Sequence, residues 1–150
     1  MKRPVLIVLA VVAFLAVSVA VTRYLNNDTV ERAKVVALLR EQARGDAPAM
    51  LARLQDCDDA ACTATVRANA AKLRRSGEVK IALYQSQTAH ALTSRTKYTR
   101  VVWFPSGQEA ATTVQCVLVR RDGNAIAGMT VSLLRITAAF RDRESSCPSS

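Results

Sequence analysis

The side chains of this 150-residue chain that could do chemistry are one histidine, four cysteines and scattered serines, and their spacing supports little of it. As a general base, His90 needs a carboxylate to orient it and a cavity to admit substrate. The acidic residues of the strand region, Glu78, Glu109 and Asp122, fall near strand ends or turns, so His90 reads as structural. Ser86, Ser106 and Ser132 sit in no nucleophile-elbow pattern. Cys57-Asp58-Asp59-Ala60-Ala61-Cys62 lacks the Cys-x2-Cys spacing of a structural zinc site and has no paired histidines to complete one. No phosphate loop or dinucleotide fingerprint occurs. The expectation is a non-enzymatic protein without metal or cofactor.

Two other groups could bind rather than react. Trp103 adjoins Phe104 and Pro105 in a strand and, sharing parity with Thr99 and Val101, reads first as core. Arg135 shares parity with Met129, Val131 and Leu133, which aims it at an apolar face where it needs a partner. Together Trp103 and Arg135 suggest a cavity mouth for an apolar ligand with an acidic head. The second group is cationic: Lys72, Arg74, Arg75 and Lys80, then Arg95, Lys97 and Arg100, then Arg120 and Arg121. Cations at a helix C-terminus complement its dipole, and charge runs often only solvate a face. Their functional reading is attraction to anionic lipid, a wall polymer or an acidic protein partner. Aromatics do not interleave with them as a stacking platform requires, so nucleic acid is not an expected partner.

The elements that position these residues begin with a membrane signal. Pro4 to Thr22 is almost unbroken apolar sequence behind Lys2 and Arg3, about the length of a hydrocarbon core as a helix. It reads as a signal anchor over residues 1–22, with the N-terminus held in the cytoplasm and the rest outside a cytoplasmic membrane. The alternative is a signal peptide cleaved after Ala20 in Ser18-Val19-Ala20, giving a secreted protein. The 21 basic and 12 acidic residues give +9, and setting aside Lys2 and Arg3 leaves +7 on the exported part. An even cysteine count there argues for disulfides. A turn can join Cys57 to Cys62, and Cys116 in a strand can clamp Cys147 in the polar tail of residues 141–150.

Residues 23–28 read as a short linker, and residues 29–140 as one α+β domain. Asp28-Thr29-Val30-Glu31 has the form of a capping box opening a helix that Gly45 ends. Asp46 caps a second helix, and a third runs from Ala61 to Arg75. The period then changes to two. Strands are expected from Val79 bent on to Leu92, Tyr98 to Phe104, Thr112 to Arg121 and Ala127 to Ala138. Asp122-Gly123 has the signature of a two-residue hairpin, which sets Arg121 against Asn124, Leu118 against Ala127, Cys116 against Met129 and Val114 against Val131. Two to three helices over a curved four-stranded antiparallel sheet follow.

Leu38 to Leu51, a long helix ending in Gly45-Asp46 and followed by a second helix with small and leucine positions, resembles the opening of nuclear-transport-factor-two-like (cystatin-like) domains. The resemblance loosely covers residues 29 to 140 and implies a cone-shaped space between sheet and helices. Members serve as enzymes, carriers or assembly modules, and no residue here matches a family catalytic position. In layout the chain also resembles mammalian-cell-entry-associated proteins and the bitopic inner-membrane subunit of type IV secretion systems. The expected role is therefore a membrane-anchored accessory domain of the bacterial envelope with a protein partner. The alternatives are a lipid or small-molecule carrier and a small enzyme using His90.

Overall fold

The computed structural model describes residues 2–88, 93–124, 128–140 and 146–149. No glycine or proline occurs between Pro4 and Gly45, and the backbone takes the consequence: one helix, α1, runs unbroken over Lys2–Arg44, about 65 Å at 1.5 Å per residue. The capping box expected to open a helix at Asp28 is therefore corrected. The backbone is already helical there, and Glu31 is drawn instead into the domain interior. Within α1, Pro4–Thr22 has a mean hydropathy of 3.0 and none of it is buried, so this stretch is long and apolar enough to cross a membrane.

Gly45, at φ +79°, ends α1: its N–H donates to Gln42 O and the Asp46 N–H to Glu41 O, the paired bonds of a Schellman stop. Asp46 then caps α2 (Ala47–Arg53) through the Ala49 N–H. Asp59 caps α3 (Ala60–Lys72) through the Cys62 N–H. Between them Cys57 and Cys62 are joined by a disulfide.

The domain is α+β. An open antiparallel meander follows the helices in the order β1 (Val79–Ser86), β2 (Thr93–Pro105), β3 (Thr113–Asn124) and β4 (Gly128–Ile136). β1 is shorter and β2 longer than expected, because β2 already pairs with β3 from Thr93↔Asn124 onward. The helices cover one face. Val35, Leu38 and Leu39 of α1, Met50 and Val66 pack there against Val79, Val101, Trp103, Val117, Val119, Val131 and Leu133.

The expected hairpin register is wrong. β3 continues through Asp122-Gly123, Asn124 faces Gly128, and Leu118 stands opposite Arg135 rather than Ala127. Gly123 does need its positive φ, +117°, but inside the ladder: a Cβ there would lie 2.3 Å from Gly128 O. The loop itself falls at 125–127, outside the described residues. The slip exchanges faces. Gln115, Val117, Val119 and Arg121 look toward the helices, while Val114 and Cys116 lie on the opposite face. Past β4 the chain keeps to the β3 edge, where Phe140 N–H donates to Val114 O, and Cys147 is bonded to Cys116.

Candidate functional site

β-strand alternation sends Arg120 outward and Arg121 inward, 90 residues along the chain from Glu31, and the two meet under α1. Neither has meaningful exposure, at 0% for Glu31 and 1% for Arg121. Arg121 Nε and Nη2 donate to Glu31 Oε2 at 2.9 and 2.6 Å, and Nη2 also reaches Asp28. The Tyr84 hydroxyl (2.8 Å) and Thr99 Oγ1 (2.7 Å) donate to Glu31 Oε1, and Thr88 Oγ1 (2.7 Å) donates to Oε2. Burial opposes ionisation of Glu31, but the donors from Thr99, Thr88 and Arg121 outweigh it and hold the carboxyl below its usual range. For Arg121 burial is likewise outweighed by Asp28 and Glu31, so its pKa lies above the usual one. Burial first, and then the Glu31 charge, push the Tyr84 phenol up.

This carboxylate is fully engaged and has no exposed edge, so it works as a joint rather than a reactive group. It locks α1 to β1, β2 and β3 six to nine residues beyond the apolar stretch. A second polar set repeats the plan about three helical turns farther along: Gln42 Nε2 and Trp103 Nε1 both donate to Gln115 Oε1, at 2.8 and 2.9 Å. Trp103, Gln42 and Gln115 thus fill the space between sheet and helices.

The proposed ligand pair is not brought together in this way. Trp103 is wholly buried, with its indole nitrogen satisfied by Gln115. A register shift between Val119↔Leu133 and Leu118↔Arg135 takes Arg135 out of step with Leu133. Its half-exposed guanidinium pairs with Asp59 at 2.7 Å and Asp56 at 3.7 Å. The Cys62 N–H first, and then Arg135, hold the Asp59 carboxyl below its usual range. The buried arginine in need of a partner is Arg121. Its signal in the sequence was parity with Val117 and Val119. His90 lies outside the described residues.

The cationic residues separate by height along α1. Lys72, Arg74, Arg75 and Lys80 gather near the C-terminal end of α1, where Arg75 N–H donates to Ala43 O. Arg75 also caps the end of α3 through Lys72 O and Arg74 O, and Lys80 pairs with Glu78 at 2.8 Å. Arg95 and Lys97 sit at the other end, where Arg95 faces Arg121 across the ladder. Arg100 stands midway, opposite Gln85 and Cys116. Beside the joint, Asp28, Thr29, Arg32, Tyr84, Gln85 and Ser86 line an open cleft of about 650 Å³, and the Arg32 guanidinium lies 5.8 Å from the Tyr84 ring centroid. Among the described residues no group of three or more His, Cys, Asp or Glu side chains could hold a metal ion.

No family model, curated protein or solved structure matches the chain. The functional reading rests on the geometry alone.

Proposed function

We propose that the protein is a single-span, membrane-anchored interaction domain displayed outside the cytoplasmic membrane of a bacterium, on the nuclear-transport-factor-two-like plan and without enzymatic activity. The observation that carries this reading is the continuity of α1: the apolar stretch Pro4–Thr22 and the core positions Val35, Leu38 and Leu39 belong to one helix. Such a helix holds the domain against the bilayer instead of tethering it loosely. Lys2 and Arg3 favour a cytoplasmic N-terminus. The Cys57–Cys62 and Cys116–Cys147 disulfides suit an oxidising compartment on the far side.

The filled interior favours interaction over carriage, since Trp103, Gln115, Glu31 and Arg121 occupy the volume a ligand would need. Arg95 and Lys97, near the membrane-facing end, are the cations of the set best placed for anionic headgroups, at about 1 kcal/mol each. Lys72, Arg74, Arg75 and Lys80 lie near residue 43, about 30 Å farther along α1 than Thr22, well beyond a Debye length. They are better suited to a protein or wall polymer.

Intact mass of native protein extracted in mild detergent with thiols blocked, combined with crosslinking in intact membranes, tests the proposal. The expected result is a full-length chain with two disulfides and a crosslinked envelope protein. A chain beginning at Val21, recovered free of membranes and without a partner, would overturn it.

A further inference from the structure

The two edges of the sheet are treated differently. On β4 the outer edge is closed: Leu54 forms a parallel bridge with Leu133, Gln55 N–H donates to Leu133 O, and Lys34 Nζ donates to Val131 O. On β1 nothing among the described residues pairs with the outer edge. An open edge is a template for another strand, and folded proteins ordinarily blunt it. Leu83 lies in this strand. Among the described residues it is the one exposed large hydrophobic side chain outside the apolar stretch of α1.

The wall beside this edge is basic. Arg32, Val36, Arg40 and Arg44 recur every four residues along one side of α1. Arg32 lies over Tyr84, and Arg40 reaches Glu78 at 3.8 Å, so this ridge runs beside β1. Clefts open at both ends of the strand: the one beside Arg32 and Ser86, and a second of about 210 Å³ between Arg40, Arg75 and Val79. The acids along the wall are already engaged, Asp28 by Arg121, Glu78 by Lys80 and Arg40, and Glu41 by Arg53 and Arg44, so cations outnumber them. The groove therefore presents surplus positive charge beside an open hydrogen-bonding edge.

We propose that the outer edge of β1, walled by the arginine ridge of α1, takes an extended acidic segment of a partner protein as a fifth strand. Main-chain bonds would supply the attachment, and the arginines and Leu83 the selectivity for alternating acidic and apolar side chains. The segment would be about eight residues long, since β1 spans roughly 26 Å at 3.3 Å per residue and α1 from Asp28 to Arg44 spans roughly 24 Å. A second copy of this chain fits less well, because pairing β1 with itself brings the two cationic walls together. The proposal rests on the interaction-domain reading but fails separately from it, since anchorage is scored by intact mass.

The probe is an acetylated, amidated octapeptide of alternating glutamate and valine, added to the full-length protein in detergent micelles. Binding is followed by fluorescence anisotropy and by amide hydrogen exchange. The expected result is slowed exchange over Val79–Ser86, with a lysine-for-glutamate peptide binding at least tenfold more weakly. Arg32→Glu combined with Arg40→Glu should weaken binding by about tenfold, as should Leu83→Lys, a variant that leaves the ridge intact. Equal binding of the two peptides, or protection confined to other elements, overturns the proposal. A homodimer formed by a photo-crosslinker at position 83 also overturns it and assigns the edge to a second copy.

Discussion

Replacing Arg121 by methionine should unseat the joint between α1 and the sheet. The variant keeps the apolar stem but removes both guanidinium bonds from a carboxylate with no exposure. Breaking a buried ion pair from one side costs about 3–5 kcal/mol. Tyr84, Thr88 and Thr99 still donate to Glu31, which places this case near the lower end, at about 3 kcal/mol. That is a large share of an ordinary domain's stability of about 5–15 kcal/mol. Urea unfolding of the full chain in mild detergent, with disulfides intact, can be followed by the emission of Trp103, the chain's one tryptophan. Glu31→Met and the double variant complete a cycle. The double variant strands the Tyr84 and Thr99 hydroxyls and will not match the wild type, but the coupling between positions 31 and 121 should be about 2 kcal/mol. Because the Glu31 pKa is depressed in the folded state, its contribution is present above the unfolded value near 4.5 and is lost as pH falls through the folded pKa. The gap between wild type and Arg121→Met should therefore be widest near neutrality and narrow in acid. Additivity within about 0.5 kcal/mol, or a gap that widens in acid, would refute the reasoning.

Gly123→Ala should destabilise the hairpin severely, because its Cβ meets Gly128 O at 2.3 Å, whereas Gly107→Ala, with open space around it, should cost only about 1 kcal/mol of backbone strain. Thermal unfolding of the two variants side by side checks this contrast. Converting Cys116 and Cys147 to serine, a loop with a sequence separation of 31, should cost about 3–4 kcal/mol by chain entropy. The same change at Cys57 and Cys62, separated by 5, should cost about 2 kcal/mol, and denaturant midpoints order the two. Asp59→Ala removes the α3 cap and the Arg135 partner and should lower the denaturant midpoint in the same unfolding assay.

Much of the fold could be read where local chemistry decides the structure. Gly45 and Asp46 mark a helix stop and a new cap from their own side chains, and the change of period at Val79 separates helices from strands. The errors share a different cause. Asp28-Thr29-Val30-Glu31 has the same letters whether it caps a helix or lies within one, and here Glu31 is engaged by Arg121, a residue far away in sequence. Asp122-Gly123 does supply a positive φ, but whether that φ closes a turn or sits in the ladder depends on which face of β3 must meet the helices. An inward arginine needs its carboxylate, so β3 extends until Arg121 lies beneath Glu31. Strand parity already separated Arg121 from Arg120, and that was the one available clue to the joint.

The unbroken α1 also has a rotational consequence. If α1 spans a bilayer as proposed, its lack of a hinge fixes the azimuth of whatever it carries, because each residue adds about 100° of turn and 1.5 Å of rise. One residue inserted after Thr22 would swing the β1 edge through more than a quarter of a circle around the α1 axis. Four inserted residues would bring it back to within about 40° while lifting it about 6 Å. On the proposed anchorage, the direction in which the domain looks along the membrane surface is set by helical phase, as the teeth of a spline set the angle of a shaft.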